Sequence, residues 1–347
     1  MKKIFFLLLA PFFCFAQLPD YYPYYNNIDF SQTGNTLKEQ LATLITQTHV
    51  TQLTYTPDVW AALKSTDLDP ENMQNVLLIY GYDDNDADTD NDRTRDKDLS
   101  CHTTSCNGLW VREHVFPRSL GNPNLEYAGP GSDAHHLRCI DSNMNSSRSN
   151  RRFADGSGQS ATLPGTMFYP GDEWKGDVAR MMMYMYVRYN SRCEANVVGS
   201  GSSSYSTFFD MPNIFLEWNT EDPVSIYEMN RNNILEDIQG NRNPFIDNPY
   251  IATMIWNGPS AEDTWGTLIQ NIYAVENMYA YPTLTNGMVH LENLKEGYTI
   301  NVYNYLGQRI NTGINQNSVD LTGNVAGMYF IEISDTKYSK TIKVILQ

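Results

Sequence analysis

Arg112-Glu113-His114-Val115-Phe116-Pro117, Asp133-Ala134-His135-His136-Leu137-Arg138 and Asn143-Met144-Asn145-Ser146-Ser147-Arg148-Ser149-Asn150 fall within fewer than forty residues of one chain. Val111 to Phe116 alternates weakly and reads as a strand, and Leu137 to Ile140 reads as a second one. Between them, Asn122 to Ser132 is rich in Gly, Pro and Asn and reads as a loop. Two short strands therefore present an acid, imidazoles and arginines, and a run of amides follows. These groups can hold a divalent cation, take a proton from water and grip a phosphate.

Hydrolysis of a phosphodiester needs an in-line water, neutralisation of the charge on phosphorus and stabilisation of the leaving oxygen. Magnesium prefers few protein oxygens and keeps several waters, so one carboxylate (Glu113) and one amide oxygen suit it. Asn143 and Asn145 compete as the amide. An imidazole titrating at about 6.5 is a good base toward water near neutrality, which singles out His114. Neighbours on a strand point to opposite faces, so Glu113 and His114 can share a site only if the backbone twists or bulges there. Only one base is needed, so His135 and His136 read as scaffold histidines and His102 as a surface residue. Arg151 and Arg152 read equally well as a solvated face or as contacts to a nucleic-acid backbone.

The charge balance sharpens this reading. The chain carries 24 Lys and Arg against 40 Asp and Glu, a net charge of −16, which repels nucleic acid at long range. The charge is segregated, however. Between Trp110 and Arg152 six arginines face four acids, leaving +2, while much of the opposing charge sits in Asp83 to Asp98. Within that run, Asp84-Asn85-Asp86-Ala87-Asp88-Thr89-Asp90 suggests calcium, but an EF-hand counted from Asp84 would have Thr89 in place of its Gly and Arg95 in place of its Glu. A solvated acidic loop is the preferred reading, ahead of a calcium site of another kind.

Outward from this window, Thr36-Leu37-Lys38-Glu39 reads as a capping box opening a helix with Leu37, Leu41, Leu44 and Ile45 on one face. Val76 to Tyr80 reads as a buried strand. Asp172 reads as the N-cap of a helix reaching about Tyr189, whose Met181-Met182-Met183 stripe is core filling. Phe215 to Trp218 and Ile226 to Ile238 read as further helix. Met1-Lys2-Lys3 followed by an apolar stretch to Phe15 and by Ala16-Gln17 reads as a secretory signal peptide, too short for a bilayer anchor. Four cysteines follow Cys14, and an exported chain favours disulfides, here expected as Cys101–Cys106 and Cys139–Cys193; the spacings lack paired CxxC, which argues against zinc. From about Asn277 the chain changes character. Tyr298 to Tyr303, Met328 to Ile333 and Thr341 to Ile345 are short alternating runs punctuated by Gly307 and Gly327, the pattern of a small antiparallel sandwich.

Taken together, Arg112-Glu113-His114-Val115-Phe116-Pro117, Asp133 to Arg138 and Asn145 to Asn150 resemble the endonuclease I family of exported nucleases, within the ββα-metal (His-Me finger) superfamily. The resemblance extends to Pro170 to Asp177 and Gly240 to Phe245, and so covers about Leu37 to Trp265. It implies an α+β catalytic domain in which two short strands, an intervening loop and a helix surround the site. His114 is then the general base, Glu113 and Asn145 are metal ligands, and Arg148 contacts or orders a phosphate. A further arginine near the scissile phosphate is expected among Arg118, Arg138 and Arg180, with Arg138 taken as catalytic. The implied metal is Mg²⁺, with Mn²⁺ or Ca²⁺ as alternatives and no organic cofactor. The implied substrate is DNA, and often RNA, cut with little sequence preference to leave 5′-phosphates. Tyr298 to Gly307, Val319-Asp320-Leu321 and Gly327-Met328-Tyr329-Phe330 resemble the sorting domains of type IX secretion substrates. That implies export without stable membrane insertion, to the medium or the cell surface.

The expected organisation is a signal peptide at 1–16, a catalytic domain at 17–274, a linker at 275–281 and an all-β sandwich at 282–347. A secreted Mg²⁺-dependent nuclease is the leading expectation. An exported nucleic-acid- or surface-binding protein without turnover, and a metal phosphodiesterase acting on small esters, are the alternatives.

Overall fold

The computed structural model describes residues 22–103, 105–266, 278–294, 298–315, 317–334 and 339–347. The expected signal peptide and the first half of the expected linker (275–277) lie outside the described residues. The chain divides into two compact units, Met1–Trp265 and Gly266–Gln347.

The first unit mixes helices with small sheets. In chain order it contains α1 (Gly34–Thr48), α2 (Asp58–Thr66), β1 (Asn75–Leu77), β2 (Thr94–Asp96), β3 (Trp110–His114), β4 (Leu137–Asp141), α3 (Ser142–Arg148), β5 (Arg152–Phe153), β6 (Ala161–Leu163), β7 (Met167–Tyr169), α4 (Lys175–Tyr189), α5 (Ala195–Val198), α6 (Asn213–Glu221), α7 (Ile226–Gln239), α8 (Pro244–Asp247) and α9 (Tyr250–Trp256). Leu37, Leu41 and Ile45 bury one face of α1 at helical spacing. The expected capping box is not its start: the helix begins at Gly34 and Thr33 makes no side-chain cap bond, which leaves Thr36 inside the first turn. A capping box does form on α7, where the Ser225 hydroxyl accepts from the Glu228 amide and the Glu228 carboxylate accepts from the Ser225 amide. Asp172 is likewise not the cap of α4; its carboxylate accepts from the Gly158 amide and the Tyr169 hydroxyl, and Trp174 occupies the cap position. Gly176 to Val187 are all buried, so α4 is an interior helix, with the three methionines as core filling.

β3 and β4 form a two-stranded antiparallel sheet in unbroken register from Trp110↔Asp141 to His114↔Leu137. Its apolar side packs into a core shared with α2, β1 and α7, built from Val59, Leu63, Val76, Trp110, Leu137, Cys139 and Leu235. α3 follows β4 directly, capped by the Asp141 carboxylate, which accepts from the amides of Asn143 and Met144. The β3–loop–β4–α3 run is thus anchored on one side by apolar burial.

Behind it lies a buried ionic network. Asp67, fully buried, accepts from Arg138 Nε at 3.2 Å, from the Cys139 amide at 2.7 Å and from Arg231. Arg138 reaches Asp177 at 3.0 Å, and Arg180 holds Glu228 in two bonds of 2.7 and 2.8 Å. Cys101 and Cys106 form the expected disulfide. The expected Cys139–Cys193 bridge does not exist: both are free, buried thiols, Cys139 held on β4 inside the core and Cys193 in the turn after α4. Burial in apolar surroundings pushes both thiols up, Cys193 to about 12.

The second unit is all β, with β8 (Tyr279–Tyr281), β9 (Leu284–Thr285), β10 (Met288–Glu292), β11 (Thr299–Asn304), β12 (Gly313–Asn315), β13 (Ser318–Asp320), β14 (Gly327–Ser334) and β15 (Ser339–Leu346). They form two four-stranded sheets, ordered β12-β13-β10-β8 and β11-β14-β15-β9, around Val289, Leu291, Val302, Val319, Ile331, Ile333 and Val344. Inward apolar and outward polar residues alternate along β10 and β14, the period-two pattern expected of a sandwich. Tyr279–Tyr281, expected as the end of the linker, is instead a strand, because its pairing with β10 buries Ala280.

Candidate active site

A cleft of about 520 Å³ opens at the end of β3, lined by Glu113, His114, Asn145, Arg112, Arg118, Tyr55 and Tyr127 among others. Glu113 and His114, adjacent in sequence, both line it although the register of β3 contains no bulge. Past Trp110, which also bridges Ser100, β3 is paired with β4 alone, and His114 is its last residue, so the cleft lies across the strand's free end and can be lined from both of its faces. The required twist is therefore replaced by placement at a strand terminus.

His114 is fixed by its Nε2, 2.9 Å from the Gly131 carbonyl. A carbonyl can only accept, so Nε2 carries the hydrogen and Nδ1 keeps its lone pair. Burial, together with repulsion from His136, pulls the imidazole down to about 3, so across the neutral range it is neutral and its Nδ1 lone pair is free of a proton. Gly131 has to be glycine: a Cβ there would lie 1.5 Å from the Glu126 carbonyl oxygen. The loop carrying it is held by Asp133. That buried carboxylate accepts from the Tyr184 and Tyr189 hydroxyls at 2.8 Å each, from the His135 amide and from the Gln239 side chain.

Glu113 is almost fully buried at the base of the cleft. The Tyr80 hydroxyl donates to its Oε1 at 3.3 Å, and Arg148 Nε lies 3.2 Å from the same oxygen. Desolvation pushes the carboxyl up to about 7 against the opposing pull of Arg148. Asn145, on α3, is half-buried in the cleft, and its side-chain amide makes no hydrogen bond among the described residues. Asn143 is turned away: its amide nitrogen donates to Asp90 at 2.8 Å and to Asn107 at 2.9 Å. Beyond Asn145 the surface continues into a neutral groove of about 460 Å³ lined by Asn107, Ser142, Asn143 and Ser146.

The arginines divide sharply. Arg138 does not reach the cleft; it is locked between Asp67 and Asp177 with its guanidinium over the Tyr227 ring, and its expected catalytic placement is overturned by that ionic network. Arg180 is similarly committed to Glu228. Arg148 is fully buried, donating to the Val115 carbonyl at 3.0 Å and the Ser149 carbonyl at 2.8 Å, so it braces Glu113 and the turn after α3 from behind rather than facing a phosphate. Arg118 and Arg112 line the cleft. Arg151 and Arg152 are tied to backbone carbonyls, Arg151 to Ser147 and Arg152 to Asn196 and Gly199, outside the cleft. His135 and His136 are buried away from it, bonded through Nε2 to the carbonyls of Asn241 at 3.1 Å and Pro130 at 2.7 Å, as scaffold residues would be. His102 is exposed and rests on Trp60.

Tyr55, Tyr80, Tyr127 and the Gly131 carbonyl belong to the site and are not distinguished by any motif. Only Tyr127 carries a usable signal, an aromatic residue inside a Gly/Pro/Asn loop between the two motif strands. The acidic run is used internally. Asp84 accepts from the amides of Arg93 and Thr94, and Asp86 accepts from Asn91 and the Asp88 amide. Among the described residues no group of three or more His, Cys, Asp or Glu side chains converges as a metal site, and no helix is long and apolar enough to cross a membrane.

Residues 33–250 match the Endonuclease I family, and residues 279–347 match the secretion system C-terminal sorting domain. The chain is 41% identical over 246 residues to an "Extracellular ribonuclease" of Bacillus subtilis (strain 168), covering 67% of this chain and 78% of that one. It is 40% identical over 238 residues to an "Extracellular ribonuclease" of Bacillus amyloliquefaciens, covering 65% and 75%. The sorting domain marks this as a secreted protein. The chain belongs to the Endonuclease I family, fused to a C-terminal sorting domain.

Proposed function

We propose that the protein is a secreted, metal-dependent endonuclease of the ββα-metal (His-Me finger) type, exported through a type IX system, that hydrolyses phosphodiester bonds with little sequence preference and leaves 5′-phosphates. The observation that carries this reading is the convergence of Glu113, His114 and Asn145 in one cleft, with His114 Nε2 tied to a backbone carbonyl.

The residues fit a magnesium ion. Two hard oxygen donors, the Glu113 carboxylate and the Asn145 amide oxygen, line the same cleft, and Asn145 has no competing partner among the described residues. Mn²⁺ or Ca²⁺ would meet the same donors. When bound, such a cation supplies Lewis-acid charge to a phosphoryl and a leaving oxygen. The chain's own contribution begins with His114, whose Nδ1 accepts a proton from the attacking water. Gly131, backed by Asp133, keeps that ring in the required tautomer and orientation. Tyr80 and Arg148 keep the Glu113 carboxylate pointed at the cleft. Arg118 and Arg112 place positive charge beside the phosphate path, which offsets the long-range repulsion of a chain at −16.

Because water is the nucleophile, the ribose 2′-hydroxyl has no role in bond cleavage, and both DNA and RNA are substrates. The relatives' description as extracellular ribonucleases supports the RNA part of this reading.

The deciding experiment is nicking of a supercoiled plasmid and degradation of a long RNA, with Mg²⁺ and with EDTA, by the wild-type protein and by His114→Ala. Cleavage is expected with Mg²⁺ alone. The variant should fold normally and lose turnover by about 10²- to 10⁴-fold, the usual contribution of a general base. Wild-type-like turnover by His114→Ala would reject His114 as the base. Binding without cleavage would favour the non-catalytic reading, and activity on bis-p-nitrophenyl phosphate without activity on nucleic acid would favour a small-ester phosphodiesterase.

A further inference from the structure

One wall of the cleft is a run of stacked rings flanked by guanidinium groups. Its exposed end is the Arg118–Tyr127 pair, in which Tyr127 is 55% exposed. Arg118 lies over the Tyr127 ring at 3.8 Å, and its Nε is fixed by the Leu125 carbonyl at 2.9 Å. Tyr127 packs on Tyr55 with centroids 4.7 Å apart, and Tyr55 stacks on the imidazole of His114 at 5.4 Å and 22°. Behind Tyr55, Arg112 is clamped between the Tyr55 ring at 3.5 Å and the buried Trp60 ring at 4.2 Å.

An exposed aromatic ring in a polar loop needs a reason. This one is held in place by a cation on its face and a second ring beside it, so little conformational freedom is lost when something stacks on it. The run ends at His114, so an object stacked on the exposed end sits two ring steps from the atom that takes the proton. The phosphate path is in the same cleft, and every nucleobase has a π-face that matches ring and guanidinium planes. In a duplex both faces of each base are already covered by its neighbours, and exposing one requires unstacking.

We infer that the Arg118–Tyr127 pair, backed by Tyr55, is a stacking platform for an unpaired nucleobase flanking the scissile phosphate, and that single-stranded nucleic acid is the preferred substrate class of this site. The inference rests on the phosphodiester reading above and adds a strand preference to it.

Binding and cleavage test it separately. With the full chain in EDTA, fluorescence anisotropy of a fluorescein-labelled oligothymidylate and of a labelled hairpin duplex of matched phosphate count should show tighter binding of the single strand. Tyr127→Ala should weaken single-strand binding by about 5- to 100-fold, the range for loss of one base–aromatic stack, and Tyr127→Phe should restore most of it. With Mg²⁺, kcat/KM of Tyr127→Ala should fall by a similar factor on the single strand and by a clearly smaller factor on the hairpin stem. Equal affinity for both strands with equal losses in Tyr127→Ala would overturn the inference. So would a Tyr127→Phe protein no better than Tyr127→Ala, because the hydroxyl and not the ring would then be the contact. Strand-selective binding without cleavage would keep the platform and overturn the hydrolytic reading; cleavage without strand selectivity would do the reverse.

Discussion

Arginines occur in two settings in the first unit, and the contrast between them separates architecture from chemistry. Behind the β3–β4 sheet, Arg138, Arg180 and Arg231 are buried against Asp67, Asp177 and Glu228, and most of their donors are spent on carboxylates, carbonyls and other side-chain oxygens. In the cleft, Arg112 and Arg118 also lie on aromatic faces, but among the described residues neither forms an ion pair with a carboxylate. A carboxylate partner neutralises a guanidinium. A ring leaves the guanidinium charge unneutralised, although Arg112 spends a donor on the Tyr55 carbonyl and the Thr56 hydroxyl and Arg118 one on the Leu125 carbonyl. The same residue type is neutralised inside the core in one region and lines the cleft without a carboxylate partner in the other, and the partner decides which.

The contrast can be broken first on its buried side. Arg138→Ala would leave Asp67 and Asp177 desolvated and short of a partner, and we expect about 3–5 kcal/mol of lost stability in a urea melt. A variant as stable as wild type would mean that the network is not a structural element. Buried imidazoles add a pH dependence on the same side. His135 and His136 are each pulled down to about 4 by burial. Folded, they stay neutral, whereas the unfolded chain takes up protons below about 6.5. Their contribution to stability is therefore complete above about 6.5 and is lost progressively as the pH falls toward 4. Denaturation monitored across that window should show stability declining by a few kcal/mol, and replacing His136 with Gln should flatten the slope.

The thiols offer a smaller effect. Reducing Cys101–Cys106 opens only a short loop and should cost about 2 kcal/mol on loop-entropy grounds. Peptide mapping should find Cys139 and Cys193 alkylated after denaturation without reductant, and a disulfide between them would contradict the fold. The smallest stability effect belongs to the cleft side. Arg118→Ala should change stability by no more than about 0.5 kcal/mol. It should nonetheless weaken nucleic-acid binding and lower the salt slope by about one phosphate contact. An Arg118→Ala protein that unfolds like Arg138→Ala would erase the distinction between the two settings.

The strands β3, β4 and β14, the helices α1 and α7, the all-β character of the C-terminal unit and the Cys101–Cys106 bridge were legible from periodicity, composition and spacing, because each depends on neighbours in the chain. The gathering of Glu113, His114 and Asn145 in one cleft was carried by motif resemblance rather than by periodicity. Strand alternation argued against the first two sharing a site, and the free end of a two-stranded sheet is what resolves it. The helix starts at Thr36 and Asp172 were misplaced because a side chain that can cap has other partners to choose from, and tertiary contacts make the choice.

By itself, the order of residues determined which chemical groups this protein brings to bear and where its two units divide in character, since local pattern and composition carry that information. Tertiary structure alone decided which arginines line the cleft, which asparagine is left without a partner among the described residues, which nitrogen of His114 holds its hydrogen, and that Cys139 and Cys193 stay apart. Each of those depends on a partner distant in the chain, 71 residues for Asp67 and Arg138, 53 for Asp90 and Asn143 and 17 for Gly131 and His114. Burial then gives such pairings their consequence, because a desolvated charge or donor must keep the partner it finds.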